Sequence, residues 1–357
     1  MRPKTLKSIA LGFIPTWARR PAGPSRAVVA LTRRCDLRCG GCRTWEKPPG
    51  DEMTPAELGR LCSGMPNLTW LDLTGGETML RPDIEELLEE ILAATPRLAV
   101  LHFPTNGSFP TRAVACAELV RQRRPDISLL LTVSIDGPEA LHDKMRGRKG
   151  SYRSALDTFE RLREVPGVEV WLGTTVLPSN VDALDELESA LRRDVRDWHP
   201  GLWHWNLGQV SEHFFGNQDV SVQVDPARAA TLVRQQFSRR WPPRSPVDLM
   251  ELSFLALLPG YLEGRGTGLT CPSLHSTCFV SADASLYPCH VWDRPLANLR
   301  DWDFNVAAVW GSKDVLKARE EVQRLDCGDC FTPCEAYPRL AASPLRGPLA
   351  LLRSQLS

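Results

Sequence analysis

Three cysteines, Cys35, Cys39 and Cys42, stand at C-x3-C-x2-C spacing directly after a short apolar run at 27–32. Thiolates are the usual ligands of iron–sulfur clusters, and a cubane cluster offers four iron corners. Three ligands on one loop hold three corners and leave the fourth iron open. A second group, Cys271, Cys278, Cys289, Cys327, Cys330 and Cys334, lies near the C-terminus, so nine of the eleven cysteines are grouped. Such grouping in a chain without a secretory signal points to metal in a reducing, cytoplasmic compartment rather than to disulfides. Zinc, which also takes thiolates and histidine, is the alternative for both groups.

The elements that must position these residues repeat. Candidate strands at 27–32, 69–74, 98–104, 128–135, 168–176 and 202–210 are apolar runs too short for helices, as expected of parallel strands buried on both faces. Thr54, Pro55 and Glu57 form a capping box ahead of Leu58, Leu61 and Met65. Asp83 opens a helix with Ile84, Leu87, Leu88, Ile91 and Leu92 on one stripe. Further stripes are Leu156, Phe159 and Leu162, then Leu184, Leu187 and Leu191. Alternating β and α elements imply right-handed crossovers and a parallel sheet. The fold class expected is α/β, a partial (β/α)6 barrel, with a doubly wound sheet as the alternative.

After Val210 the pattern changes. Helices are expected from Asp225 to about Trp241, from Val247 to Leu262 and from Ser312 to Leu325, and a hairpin around Asp283-Ala284-Ser285. The glycine run at 264–268 follows a helix and reads as a linker. The chain thus divides into an N-terminal extension (1–26), a barrel core (27–225), a helical linker region (226–268), a small Cys-rich α+β domain (269–338) and a tail (339–357).

Polar residues gather where these strands end. Thr74-Gly75-Gly76-Glu77 follows the second strand, Thr105-Asn106-Gly107 the third, and Ser134-Ile135-Asp136-Gly137 closes the fourth. Ligands bind parallel sheets at the carboxyl ends of their strands. Gly75 and Gly76 let backbone approach a ligand closely, and Glu77 can accept from an ammonium. Ser134 and Asp136 can bond sugar hydroxyls, and Arg146 offers a planar fork for a carboxylate. Taken alone, Glu77 and Asp136 are ordinary loop carboxylates, and His142 with Arg146 an ordinary helix-face pair.

Together these motifs resemble radical S-adenosylmethionine (SAM) enzymes. The cysteine loop is similar to that family's cluster loop, and Gly75-Gly76-Glu77 to its GGE motif. The run from Ser134 through His142-Asp143 to Arg146-Gly147 is similar to its SIDG-x-x-x-x-HD-x-x-RG pattern. The resemblance implies a 4Fe-4S cluster on Cys35, Cys39 and Cys42, with SAM on the open iron. Gly75, Gly76, Glu77, Asn106, Ser134, Asp136 and Arg146 would lie around SAM. Reductive cleavage would yield a 5′-deoxyadenosyl radical that abstracts a substrate hydrogen atom. The implied electron donor is a flavodoxin- or ferredoxin-type protein. Two positions depart from the pattern. Gly40-Gly41 stand where a bulky residue usually precedes the third cysteine, leaving Trp45 as a candidate to pack on adenine, and Thr78 replaces a usual proline.

The second cysteine group resembles the SPASM and twitch auxiliary-cluster domains of the same superfamily. Six cysteines are too few for two fully ligated cubanes, so one auxiliary 4Fe-4S cluster is expected. Cys271, Cys289, Cys327 and Cys330 match the twitch spacing, Cys334 competes for a place, and Cys278 is the spare. The implied substrate is a small metabolite or a peptide. Only 26 residues precede the first strand, which weakens a leader-peptide reading. A non-catalytic iron–sulfur or zinc protein serving electron transfer is the alternative function. Cys62 and Cys116 fall on helical stripes as small hydrophobes.

Lys plus Arg equals Asp plus Glu at 43 each, so no net field favours nucleic acid. No apolar run reaches the roughly 18 residues of a membrane span. The basic N-terminal segment and the leucines at 345, 349, 352 and 356 leave membrane-surface contact open. The aromatic and histidine-rich stretch from Trp203 to Phe215 suits either a substrate pocket or core packing.

Overall fold

The computed structural model describes residues 23–325, 332–343 and 347–351. Its core alternates strands and helices. In order these are β1 (Arg26–Thr32), α1 (Pro55–Ser63), β2 (Trp70–Gly75), α2 (Ile84–Ala94), β3 (Val100–Thr105) and α3 (Pro110–Arg123). There follow β4 (Ser128–Ser134), α4 (Glu139–Arg146), α5 (Ser151–Arg163), β5 (Val168–Val176), α6 (Leu184–Asp194) and β6 (Trp203–Leu207). Two long helices come next, α7 (Pro226–Arg240) and α8 (Pro246–Leu262). The remainder holds β7 (Thr277–Val280), β8 (Ser285–Tyr287), β9 (Ala297–Asn298), α9 (Val306–Trp310), α10 (Lys313–Val322) and α11 (Pro333–Ala342).

Nine strands form one sheet in the order β6-β5-β4-β3-β2-β1-β7-β8-β9. β1 through β6 are parallel, β7 joins β1 in parallel, and β8 and β9 follow antiparallel. β6 and β9 are the two edges, so the barrel is open as the six repeats suggest. Two expected strands are shorter than their apolar runs. The last barrel strand stops at Leu207 rather than continuing to 210, and the second hairpin strand stops at Tyr287, ahead of Pro288, since proline removes a ladder donor. Helix α3 appears in the sequence reading only as the stripe that carries Cys116, and strand β9 has no counterpart there. α3 is capped by no side chain and has a weak stripe of small residues, Ala113, Cys116, Ala117 and Val120. β9 is two residues long.

Alternation along the strands separates two faces. Leu71, Leu73, Leu101, Phe103, Leu129, Leu131 and Val133 pack under the helices in the main core, with Cys62 and Cys116 beside them. Burial pushes both thiols up to about 12, as for inert cysteines. The opposite, inner face carries Asp72, Thr74, His102, Thr132, Ser134, Thr175 and Asn206. Below them Trp70, Val100 and Leu130, near the strand starts, pack with Trp171, Met250 from α8 and Tyr337 from α11. The two C-terminal helices thus close the amino-end floor, while the carboxyl ends stay available for a site.

Candidate active site

The cysteine loop is laced to its surroundings by backbone. Gly76 N donates to Thr32 O and Glu77 N to Arg34 O, both at 2.8 Å. A Cβ on Gly75 would stand 2.3 Å from Thr32 O, and one on Gly76 would stand 2.0 Å from Arg34 O. The two glycines are therefore required first by the contact between this turn and the cysteine loop. On the other side Arg38 N donates to Arg146 O and Gly40 N to Met145 O, each at 3.1 Å. Those acceptors are carbonyls of the last turn of α4, which lack helical partners. Gly147 ends α4 in the left-handed conformation at φ 66°.

Gly40 and Gly41 are anchored rather than loose. Asn217 Nδ2 donates to Gly41 O at 3.0 Å, and a Cβ on Gly41 would lie 2.8 Å from Leu177 Cδ1. Leu177, from the turn after β5, fills the space a larger residue would take. Trp45 donates its indole N–H to Cys42 O at 3.0 Å, with Arg38 over its ring.

Each thiol of the loop has a polar neighbour. Cys35 Sγ is 4.0 Å from Asn106 Nδ2, Cys39 Sγ is 3.7 Å from Arg146 Nη1, and Cys42 Sγ is 3.2 Å from the Thr44 hydroxyl. Burial pushes Cys35 up to about 12, with Cys39, Glu77 and Asp36 adding to it, and burial also raises Cys39. Crowded, desolvated thiols want a cation, and bound iron would reverse the shift. No three Cys, His, Asp or Glu side chains among the described residues are grouped so as to hold a single metal ion. The donor set itself, three sulfurs flanked by hydrogen-bonding groups, fits an iron–sulfur cluster.

Glu77 is 1% exposed. It accepts from Asn106 N at 2.6 Å, Thr105 Oγ1 at 2.9 Å and Met79 N at 3.1 Å. Burial outweighs these donors and pushes its carboxyl up to about 7. Arg146 pairs with Asp136 at 2.7 Å, while Asp136 also accepts from Thr175 N at 3.1 Å. Burial acts to lower Arg146, but Asp136 and Cys39 hold it above its ordinary value. Its Nε is buried without a partner. Ser134 sits at the end of β4, half-buried on the inner face. His142 is fully buried, and its Nδ1 accepts from Asp136 N at 3.0 Å. Burial lowers its pKa to about 4, so it holds the loop as a neutral acceptor.

Several residues escaped the sequence reading. Asn106 also donates to Asp36 Oδ1 at 2.8 Å, and Arg148 pairs with Asp36 and donates to Ser108 Oγ at 2.6 Å. Asn180 donates to Asp136 O at 2.8 Å. Asp36 lies inside the cysteine motif and Arg148 two residues past Arg146, but nothing in their spacing signals that they meet.

The C-terminal group is split by the structure. Cys278 is 2% exposed in the main core, which suits the spare. Cys271, Cys289 and Cys334, like Cys278, feel the charge of Glu335, itself buried, raised by that burial, and accepting from the Thr277 hydroxyl at 3.1 Å. Burial pushes Cys289 up to about 12 and Cys334 up to about 11, with Arg26 drawing the latter back. Cys327 and Cys330 lie outside the described residues. Between the two cysteine groups opens a cleft of about 510 Å³ lined by Arg33, Lys47, Glu212, His213, Tyr287 and Asp293. The aromatic stretch divides here: Trp203 and Trp205 join the core, while His213 stacks on Tyr287 at 4.1 Å and pairs with Asp293.

Comparison with known proteins agrees with this geometry. Residues 29–191 match the family described as the radical SAM superfamily. An AdoMet-dependent heme synthase of Methanosarcina barkeri is 25% identical over 335 residues, covering 84% of this chain and 86% of that protein. The sporulation killing factor maturation protein SkfB of Bacillus subtilis is 23% identical over 323 residues, covering 85% and 69%. The solved structure of native anSMEcpe with bound AdoMet and Cp18Cys peptide superposes with a TM-score of 0.61 at 14% identity, covering 94% of this chain and 100% of that one. Residues 29–191 thus match the radical SAM superfamily, a family that uses a 4Fe-4S cluster and SAM.

Proposed function

We propose that this protein is a radical SAM enzyme that abstracts a hydrogen atom from a peptide or small-molecule substrate. The observation that carries this reading is the convergence of three thiols, the Gly75–Gly76 turn and the Asp136–Arg146 pair at the carboxyl ends of β1, β2 and β4. Cys35, Cys39 and Cys42 hold the cluster, and bound SAM supplies a 5′-deoxyadenosyl radical when an electron arrives from a flavodoxin- or ferredoxin-type donor. Gly75 and Gly76 present backbone to the ligand, and Ser134 and Asp136 face its sugar. Arg146 sets a buried cation beside Cys39. Glu77 accepts from Asn106 N beneath the turn, and the Asn106 side chain reaches Asp36 and the Cys35 thiol.

Four of Cys271, Cys289, Cys327, Cys330 and Cys334 supply the ligands of one auxiliary cluster. The cleft between the groups is where substrate enters, and its mixture of cations, carboxylates and an aromatic stack suits a polar ligand. Anaerobic reconstitution with iron and sulfide tests this reading. About eight irons per chain are expected, and one of two paramagnetic resonance signals should change when SAM is added. Zinc in place of iron, or signals indifferent to SAM, would favour the non-catalytic alternative.

A further inference from the structure

Between the inner face of the barrel and the C-terminal cysteines runs a chain of hydrogen bonds that no role described so far requires. It starts at His102 on β3, whose side chain is 24% exposed on the inner face. Its Nε2 lies 3.0 Å from the Thr132 hydroxyl and its Nδ1 lies 2.9 Å from Asp72 Oδ1. The other Asp72 oxygen accepts from Arg26 Nε at 2.8 Å and Nη2 at 2.7 Å. Arg26 Nη1 donates onward to the backbone carbonyl of Cys334, which sets the guanidinium charge beside that residue. Arg26 and Asp72 are 1% and 6% exposed.

A buried ion pair of this kind is seldom better for stability than well-packed apolar residues of the same volume. Stability therefore gives no reason for a charged pair at the first turn of the first strand. Its ends do: one faces the space where substrate must lie, the other a candidate cluster ligand.

We propose that Arg26, Asp72 and His102 are a positioning relay that sets the reduction potential of the cluster held by Cys334 and links it to the inner face of the barrel. The inference rests on reading the C-terminal cysteines as an auxiliary-cluster site with Cys334 among its four ligands. Hydrogen bonds to a ligand sulfur and a nearby positive charge both raise a cluster's potential. Arg26 supplies the positive charge, Asp72 offsets it, and His102 shares the carboxylate from the other side. A substrate group that engages His102 alters how much of the Asp72 charge is left to oppose Arg26. No bond is made or broken in this relay.

The test is a redox titration of the reconstituted full-length protein, followed by paramagnetic resonance, with the SAM-binding cluster as internal reference. Arg26→Gln should make reduction of the auxiliary cluster at least tenfold less favourable, about 59 mV for one electron. Asp72→Asn should shift it upward. His102→Phe should shift it downward, and His102→Gln, which keeps an N–H donor for Asp72, should restore most of the wild-type value. The reference cluster should not move in any of them. If Arg26→Gln does not fold, Asp72→Asn and His102→Phe decide. Auxiliary potentials unchanged in both, with the reference signal intact, overturn the relay. A wild-type protein with only about four irons per chain overturns the auxiliary-cluster reading beneath it, and the relay with it.

Discussion

Individual glycines around the cysteine loop differ in what they tolerate, and the differences can be measured. Gly76 has its neighbour's carbonyl where a Cβ would go, at 2.0 Å, and that neighbour is backbone that cannot swing aside. Gly76→Ala should therefore destabilise the fold by about 3 kcal/mol or more and lower the iron bound on reconstitution. Gly40 meets nothing within 4 Å, so Gly40→Ala should stay within about 0.5 kcal/mol of wild type in chemical denaturation. Gly41 is an intermediate case, because its close neighbour is the end of the Leu177 side chain. Gly41→Phe alone should cost about 1–3 kcal/mol by overpacking. Combined with Leu177→Ala it should recover most of that loss, and a double variant as unstable as the single would refute the account of Leu177 as the filler.

At the scale of elements, the tie between α1 and the C-terminal segment is electrostatic and depends on pH. Arg300, in the turn after β9, donates to Glu57 Oε1 at 2.7 Å and to Oε2 at 3.2 Å, while Glu57 closes the capping box with Thr54. These Arg300 hydrogen bonds hold Glu57 down to about 2 from an ordinary 4.5. The unfolded chain takes up this proton before the folded one does, so the tie stabilises above about 4.5 and is lost as pH falls toward 2. The melting-temperature gap between wild type and Glu57→Gln should narrow over that range; a constant gap would contradict it. The capping box was legible because Thr54, Pro55 and Glu57 are local. Arg300 was not, since 243 residues separate it from its partner. The same holds for Asp36 with Arg148 and for Arg26 with Asp72, where unlike charges meet only after the strands are in register.

The strands among the described residues form one sheet that begins as a parallel barrel wall and ends as a hairpin, with Cys278 in its first strand and Cys289 just past its second. Six strands in a parallel sheet were legible because buried parallel strands leave continuous apolar runs and polar residues gather at their carboxyl ends, while the order that separates an open barrel from a doubly wound sheet was not. The pairing of β7 with β1 was not, because four residues of strand carry no sign of which edge they join. That pairing sets Thr277 beside Arg26, and Thr277 in turn donates to Glu335, next to Cys334. The central claim is that Cys35, Cys39 and Cys42 hold a cluster that cleaves SAM. The most direct measurement is 5′-deoxyadenosine formed by the anaerobically reconstituted protein with dithionite and SAM. The account predicts multiple turnovers or at least stoichiometric product in wild type and none in Cys39→Ala; equal product from both, or none from an iron-replete wild type, would contradict it.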